Sequence, residues 1–192
     1  IIASYEHAMW DVLGERTSSE EARSWIGQTL SATFNARHPS RAQELIDSYV
    51  TWNAEHLAEL LEEFPGTPEL LDALTAAGVV TGVATSKRRV SAENTLRCAG
   101  LEGRLPVTVA MEDTDLHKPR PEPLLVALER LGGSAAVAAY VGDAVVDVQA
   151  AKAAGMTAVA VSWGAAPREA LEAAAPDHIV DTVAELEELL LN

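Results

Sequence analysis

Residues 141–156 read VGDAVVDVQAAKAAGM, and TAVAV (157–161) follows them directly. Gly142 permits a tight turn after an apolar strand, and Val145 to Ala154 then reads as a helix closed by Gly155. TAVAV has no polar face, so it reads as a strand covered on both sides. A strand, a turn, a helix and a second strand in this order join parallel neighbours. The same grammar extends in both directions. Upstream lie VAAYV (137–141), a helix from Pro121 to Leu131, VTVA (107–110) and a helix to about Ala99 closed by Gly100. Before these come VVTGVA (79–84) and a helix capped by Thr67, with Pro68 at its first position, that ends at Gly78. Downstream, a helix near 167–174, a short strand at 178–180 and a helix capped by Thr182-x-x-Glu185 finish the chain. The expected fold is α/β: a doubly wound, Rossmann-like parallel sheet with helices on both faces.

Phe64-Pro-Gly-Thr-Pro68 is where that alternation starts, and residues 1–64 have a different period. Ile1, Ile2, Tyr5, Met9, Val12 and Leu13 share one helical face. Thr17-Ser-Ser-Glu20 has the spacing of a capping box ahead of Ala22, Trp25 and Ile26. A long helix is expected from Pro39 toward Phe64, with Ala42, Leu45, Ile46, Tyr49, Val50, Leu57, Leu60 and Leu61 as its apolar stripe. Two domains are therefore expected, a helical one over 1–64 and the α/β core over 65–192.

The chain of 192 residues carries 14 Lys+Arg against 29 Asp+Glu, a net charge of −15. That field repels phosphate backbones and anionic lipid heads, which argues against nucleic-acid or membrane partners. The one cysteine, Cys98, lies near Leu96 and Leu101 and is expected in the core. A lone cysteine fits a reducing cytoplasm, and no basic segment followed by an apolar core marks a leader. His7, His38, His56, His117 and His178 have no metal-like spacing. The chain begins with Ile1 rather than Met, with no capping residue before its first helix, so a trimmed or processed amino end is expected.

Ligands of open parallel sheets bind beyond the carboxyl ends of the strands. Three of these ends carry chemistry. Thr85-Ser86-Lys87 offers two hydroxyls and an ammonium at a helix start, where backbone N–H groups can hold an anion. A simple helix cap explains that segment equally well. MEDTDLHKPRPEP (111–123) holds Lys118 among Pro119, Pro121 and Pro123, where the bland alternative is a solvated loop lysine. Asp143 and Asp147 stand four apart on one side of a helix start and repel each other unless a cation lies near. Hard oxygen ligands of this kind suit Mg²⁺, while a capping Asp143 with a surface Asp147 is the plainer reading. Hydroxyl, lysine and paired carboxylates at three strand ends are together the parts that phosphoryl transfer needs.

ATSK (84–87), HKPRPEP (117–123), VGDAVVDVQAAKAAGM (141–156) and VSWG (161–164), in this order, resemble the haloacid dehalogenase superfamily. The similarity is to its phosphoglycolate-phosphatase-like branch and runs over essentially the whole chain, with residues 1–64 in the place of a helical cap. The resemblance implies a Mg²⁺-dependent phosphatase that hydrolyses a small phosphate monoester through an aspartyl-phosphate. It implies Thr85 and Ser86 as phosphate-binding residues and Lys118 as the lysine that holds phosphoryl oxygens. It further implies Asp143 as Mg²⁺ ligand and Asp147 as supporting acid. The family's first motif, a strand ending in Asp-x-Asp-Gly-Thr, is absent, and with it the nucleophile. The resemblance puts that strand between 79–84 and 137–141. Without it, the 192 residues are expected to be inactive and to aggregate or to rearrange so that the gap is covered.

A phosphomutase of the same architecture and a non-catalytic binding or regulatory relative are the alternatives. A dehalogenase leaves the paired acids without a purpose. The expected partner is a small phosphorylated metabolite, with the chain a monomer or homodimer. Arg23, Gln28, Arg37 and His38 are the residues of the helical half considered for leaving-group contact, with solvated surface as the simpler reading.

Overall fold

The computed structural model describes residues 1–192. Its amino-terminal part is all helix: α1 (Ile2–Leu13), α2 (Ser19–Ser24), α3 (Leu30–Arg37) and α4 (Ala42–Leu60). Helices and strands then alternate. α5 (Thr67–Ala76), β1 (Val83–Ala84), α6 (Arg89–Cys98), β2 (Val107–Val109) and α7 (Glu122–Leu131) come first. β3 (Ala139–Gly142), α8 (Val145–Ala154), β4 (Thr157–Val161), α9 (Arg168–Ala173), β5 (His178–Val180) and α10 (Val183–Leu191) follow.

All strand pairs are parallel, in the α/β architecture expected from the sequence. β3, β4 and β5 form one sheet in that order, and β1 pairs with β2 in another. The division falls between β1 and β3. One side chain bridges it: the Tyr140 hydroxyl on β3 donates to Ala84 O on β1 (2.8 Å). Along β4 the side chains alternate as a strand requires. Ala158 and Ala160 meet α8 and Leu171, while Val159 and Val161 meet Leu70, Leu74, Val180 and Leu186. Ala150, Ala151 and Ala154 on α8 add no bulk, so that helix lies close against the sheet.

The helices before residue 60 share a separate core of Tyr5, Met9, Trp25, Phe34, Leu45, Ile46, Tyr49 and three alanines. Tyr5 packs edge-on to Trp25, with ring centroids 5.1 Å apart.

Several expected elements are shorter or capped differently. VVTGVA (79–84) is strand only at Val83–Ala84, because residues 79–82 have no neighbour to pair with, and Val80 is 68% exposed. VAAYV begins as a single 3₁₀ turn at Ala135–Val137 with Val137 88% exposed, and the strand runs 139–142. The long helix spans 42–60 rather than 39–64, and Leu60 at its end is 51% exposed. Ser18, not Thr17, caps α2 by accepting from the Glu21 N–H (3.1 Å). Gly66, in the left-handed region (φ 89°), precedes α5 in place of a capping Thr67. Cys98 is exposed rather than buried, since it lies at the outer end of α6. Thr182 caps α10 as expected, accepting from the Glu185 N–H.

Candidate active site

The carboxyl ends of β1 and β3 open into a cleft of about 220 Å³, roofed by the amino-terminal helices. Thr85, Ser86, Lys118, Asp143 and Asp147 all line it, so the structure brings the five sequence-predicted residues together. Gln28 from the helical half lines it too, whereas Arg23, Arg37 and His38 do not. Arg37 instead lies over the Trp25 ring, 4.7 Å from its centroid.

Lys118 and Asp147 form the buried centre, with side chains 8% and 6% exposed. Lys118 Nζ donates to Asp147 Oδ1 (2.6 Å) and to the Tyr140 hydroxyl (3.0 Å). Burial works against the ammonium, but its acidic neighbours Tyr140 and Asp147 outweigh that and hold its pKa above the ordinary value. Burial pushes the Tyr140 hydroxyl up to about 12, so it stays a neutral donor at physiological pH. Asp147 Oδ2 accepts the Ala144 N–H (3.1 Å), so both of its oxygens are engaged. A Cβ on Gly142 would overlap Asp147, which is why the turn needs glycine.

Asp143 is placed differently. Its Oδ2 accepts the Ala165 N–H (2.9 Å), while its other oxygen takes no hydrogen bond from another residue. Burial first, then repulsion from Asp147, raises its pKa above the usual carboxylate range. Gly164 closes the loop against it, and a Cβ there would overlap the carboxylate.

Thr85 Oγ1 accepts the Lys87 N–H (3.1 Å), which leaves its own proton free to donate into the cleft. The Ser86 hydroxyl is occupied: it donates to Gly27 O (2.9 Å) in the loop between α2 and α3. Ser86 thus ties the α/β part to the helical part, and its backbone N–H is what remains for an anion. Gly27 has φ 98°, and a Cβ on it would stand 2.8 Å from Val146 Cγ2. Gly27 and Tyr140 lie at the site but outside the motifs that mark it in the sequence. A tyrosine in an otherwise apolar strand, three residues before Asp143, was the available signal for the second.

The donor set bears on a divalent cation. The side chains form no group of three or more His, Cys, Asp or Glu that could hold a metal. The pair of acids still fits Mg²⁺, which is often held by one or two carboxylates with water and substrate oxygens completing its shell. Asp143 has the free oxygen for direct ligation, whereas Asp147 is committed to Lys118.

The profile of haloacid dehalogenase-like hydrolases matches residues 1–161. Pyrophosphatase PpaX of Bacillus cereus (strain AH820) is 34% identical over 186 residues, covering 97% of this chain and 86% of the relative. The same enzyme of Bacillus mycoides (strain KBAB4) matches with the same identity and coverage. Among solved structures, a putative phosphoglycolate phosphatase from Lactobacillus plantarum superposes with a TM-score of 0.84 at 27% identity, covering 98% of this chain and 91% of that one. A predicted phosphatase from Clostridium acetobutylicum gives a TM-score of 0.88 at 22% identity, covering 100% and 90%, which speaks to the fold alone. With the profile spanning residues 1–161 and a relative 34% identical over nearly the whole chain, this protein belongs to the haloacid dehalogenase-like hydrolases.

Proposed function

We propose that the protein is a Mg²⁺-dependent phosphatase acting on a small phosphorylated compound, with residues 1–64 as a cap over the catalytic core of 65–192. The buried Lys118–Asp147 pair beside Asp143 and Thr85 carries the reading. A buried ammonium fixed by a carboxylate and a neutral phenol is a preorganised positive charge, which stabilises negative charge developing on a phosphoryl group. Thr85 donates its hydroxyl proton to a phosphoryl oxygen, and the Ser86 N–H supplies a further donor. Asp143 holds Mg²⁺, which when bound supplies charge neutralisation and orientation of the phosphoryl oxygens. Asp147 acts through Lys118, whose position and charge it sets.

The attacking aspartate is proposed to come from a further parallel strand in the slot between β1 and β3. The slot supports this by its unpaired strand edges. Ile1 lines the same cleft, so the carboxyl end of such a strand would stand where α1 departs. The similarity to a pyrophosphatase makes inorganic pyrophosphate the first substrate to try, ahead of small phosphate monoesters. A mutase would re-phosphorylate its product, which measured phosphate release distinguishes.

The test is orthophosphate release, with Mg²⁺ supplied, from pyrophosphate and a panel of small monoesters. The protein assayed is extended at its amino end by a strand closing on Asp-x-Asp-Gly-Thr. Release from at least one compound is expected, with none from the 192 residues alone. Release by the unextended chain would contradict the placement of the nucleophile, and none from either would contradict the phosphatase reading.

A further inference from the structure

VSWG (161–164) carries a tryptophan to which the proposed chemistry gives no part. Trp163 belongs to the loop after β4, and that loop is what holds Asp143. The Ala165 N–H donates to Asp143 Oδ2 (2.9 Å), and the Ala166 N–H donates to the Asp143 carbonyl (2.9 Å). Gly164 lies so close to the same carboxylate that a Cβ on it would overlap. No further residue donates to the Asp143 side chain, whereas Asp147 is gripped by both Lys118 and Ala144. The direction of the Asp143 carboxylate is therefore set by where residues 164–166 stand.

Two contacts fix the loop from outside. At its start the Ser162 N–H donates to Val180 O (3.1 Å), which continues the pairing of β4 with β5. Trp163 then packs on the apolar cluster that includes Leu70, Leu74, Val180 and Leu186. The Phe64 ring meets Trp163 with centroids 6.4 Å apart and planes at 60°, within the range over which aromatic rings attract. Phe64 stands on the connection from α4 to α5, where the helical part passes into the α/β part. Its backbone is pinned there, because its carbonyl accepts the N–H (3.2 Å) and the hydroxyl (2.7 Å) of Thr67 at the start of α5. The ring is 50% exposed, so burial in a core does not account for it, and Trp163 is its aromatic partner.

We propose that Phe64 and Trp163 are positioning residues for Asp143: the aromatic pair holds the loop of 162–166, and the loop's N–H groups hold the carboxylate. This deepens the phosphatase reading and rests on it for the role of Asp143 as Mg²⁺ ligand. Phe64 acts only through Trp163. A carboxylate with a single backbone donor from another residue turns when that donor shifts, since hydrogen bonds weaken steeply with misalignment. The connection between the two parts of the chain is thereby tied to the metal ligand.

Amide hydrogen exchange in wild type, Phe64→Ala and Phe64→Tyr tests the hold directly, because exchange reports local opening. In Phe64→Ala the Ala165 and Ala166 N–H groups should exchange about fivefold or more faster, the scale of one aromatic pair. The Ala158 N–H, bonded to Asp177 Oδ2 (2.8 Å) at the other end of β4, should keep its rate. Phe64→Tyr keeps the ring and should keep the wild-type rates. Calorimetric titration of the same proteins with Mg²⁺ gives a second readout. Affinity should fall about threefold or more in Phe64→Ala, less than for loss of a group bonded directly to a ligand, and return in Phe64→Tyr. Unchanged exchange at Ala165, or an acceleration shared equally by Ala158, would overturn the inference, the latter by showing only a general loss of stability. Equal Mg²⁺ affinity in wild type and Phe64→Ala would overturn it as well. Absence of Mg²⁺ binding in wild type would overturn the metal role of Asp143, and the exchange rates would then decide the aromatic hold alone.

Discussion

Lys118 holds its position through hydrogen bonds to Asp147 and Tyr140, so its removal takes away a preorganised charge rather than a mobile one. In the active protein Lys118→Ala should lower kcat by about 10²-fold or more, the cost of removing one such donor. Thr85→Val should cost less, since a neutral hydrogen bond is worth about 0.5–1.5 kcal/mol net. Steady-state kinetics of the two variants side by side checks the order. Asp143 poses a different trade. Burial and repulsion from Asp147 disfavour its charge, so Asp143→Asn should raise the melting temperature of the metal-free protein while abolishing its calorimetric Mg²⁺ binding. A variant that is no more stable and still binds Mg²⁺ would contradict that assignment. At this scale the sequence was a good guide to what titrates and a poor one to what is already spoken for. Motif spacing found Ser86 and Asp147, but only packing reveals that the Ser86 hydroxyl is given to Gly27 and both Asp147 oxygens to Lys118 and Ala144. Tyr140 was hidden because an aromatic ring in a strand reads as core until its hydroxyl is seen to reach Ala84.

Among the elements, one carboxylate links the end of β2 to α6 and α7. Asp113 accepts the Ala110 N–H (2.6 Å) and pairs with Arg89 at the start of α6 (2.6 Å) and Arg130 at the end of α7 (3.0 Å). The Ala110 N–H above all, then the two guanidinium groups, holds the Asp113 carboxyl below its usual range. A depressed carboxylate pKa contributes stability above the ordinary value that is lost as the pH falls through the depressed one. Asp113→Asn should therefore destabilise the protein at pH 7, by about 1 kcal/mol given the partly exposed arginines. The difference from wild type should shrink as the pH falls through the carboxylate range, as urea unfolding at a series of pH values would show. The elements that were legible were those whose neighbours are present. TAVAV (157–161) and the helix of 145–154 lie where the sequence puts them, because β4 is paired on both edges. VVTGVA was overextended because an apolar run states a preference for strand and not the presence of a partner.

For the whole molecule, the order of elements followed from the alternation of periods. The joining of the two halves did not, since Gly27 against Val146 and Ser86 against Gly27 are contacts between distant residues without a local pattern. The central claim is that the strand ends carrying Thr85, Lys118 and Asp143 form one phosphoryl-binding site, held together by the Lys118–Asp147 pair. Titration of orthophosphate into the protein with Mg²⁺ present, for wild type and Lys118→Ala, tests it without requiring turnover. Saturable binding is predicted in wild type, weakened about tenfold or more in the variant. Equal affinity in the two proteins, or no saturable binding in wild type, would contradict it.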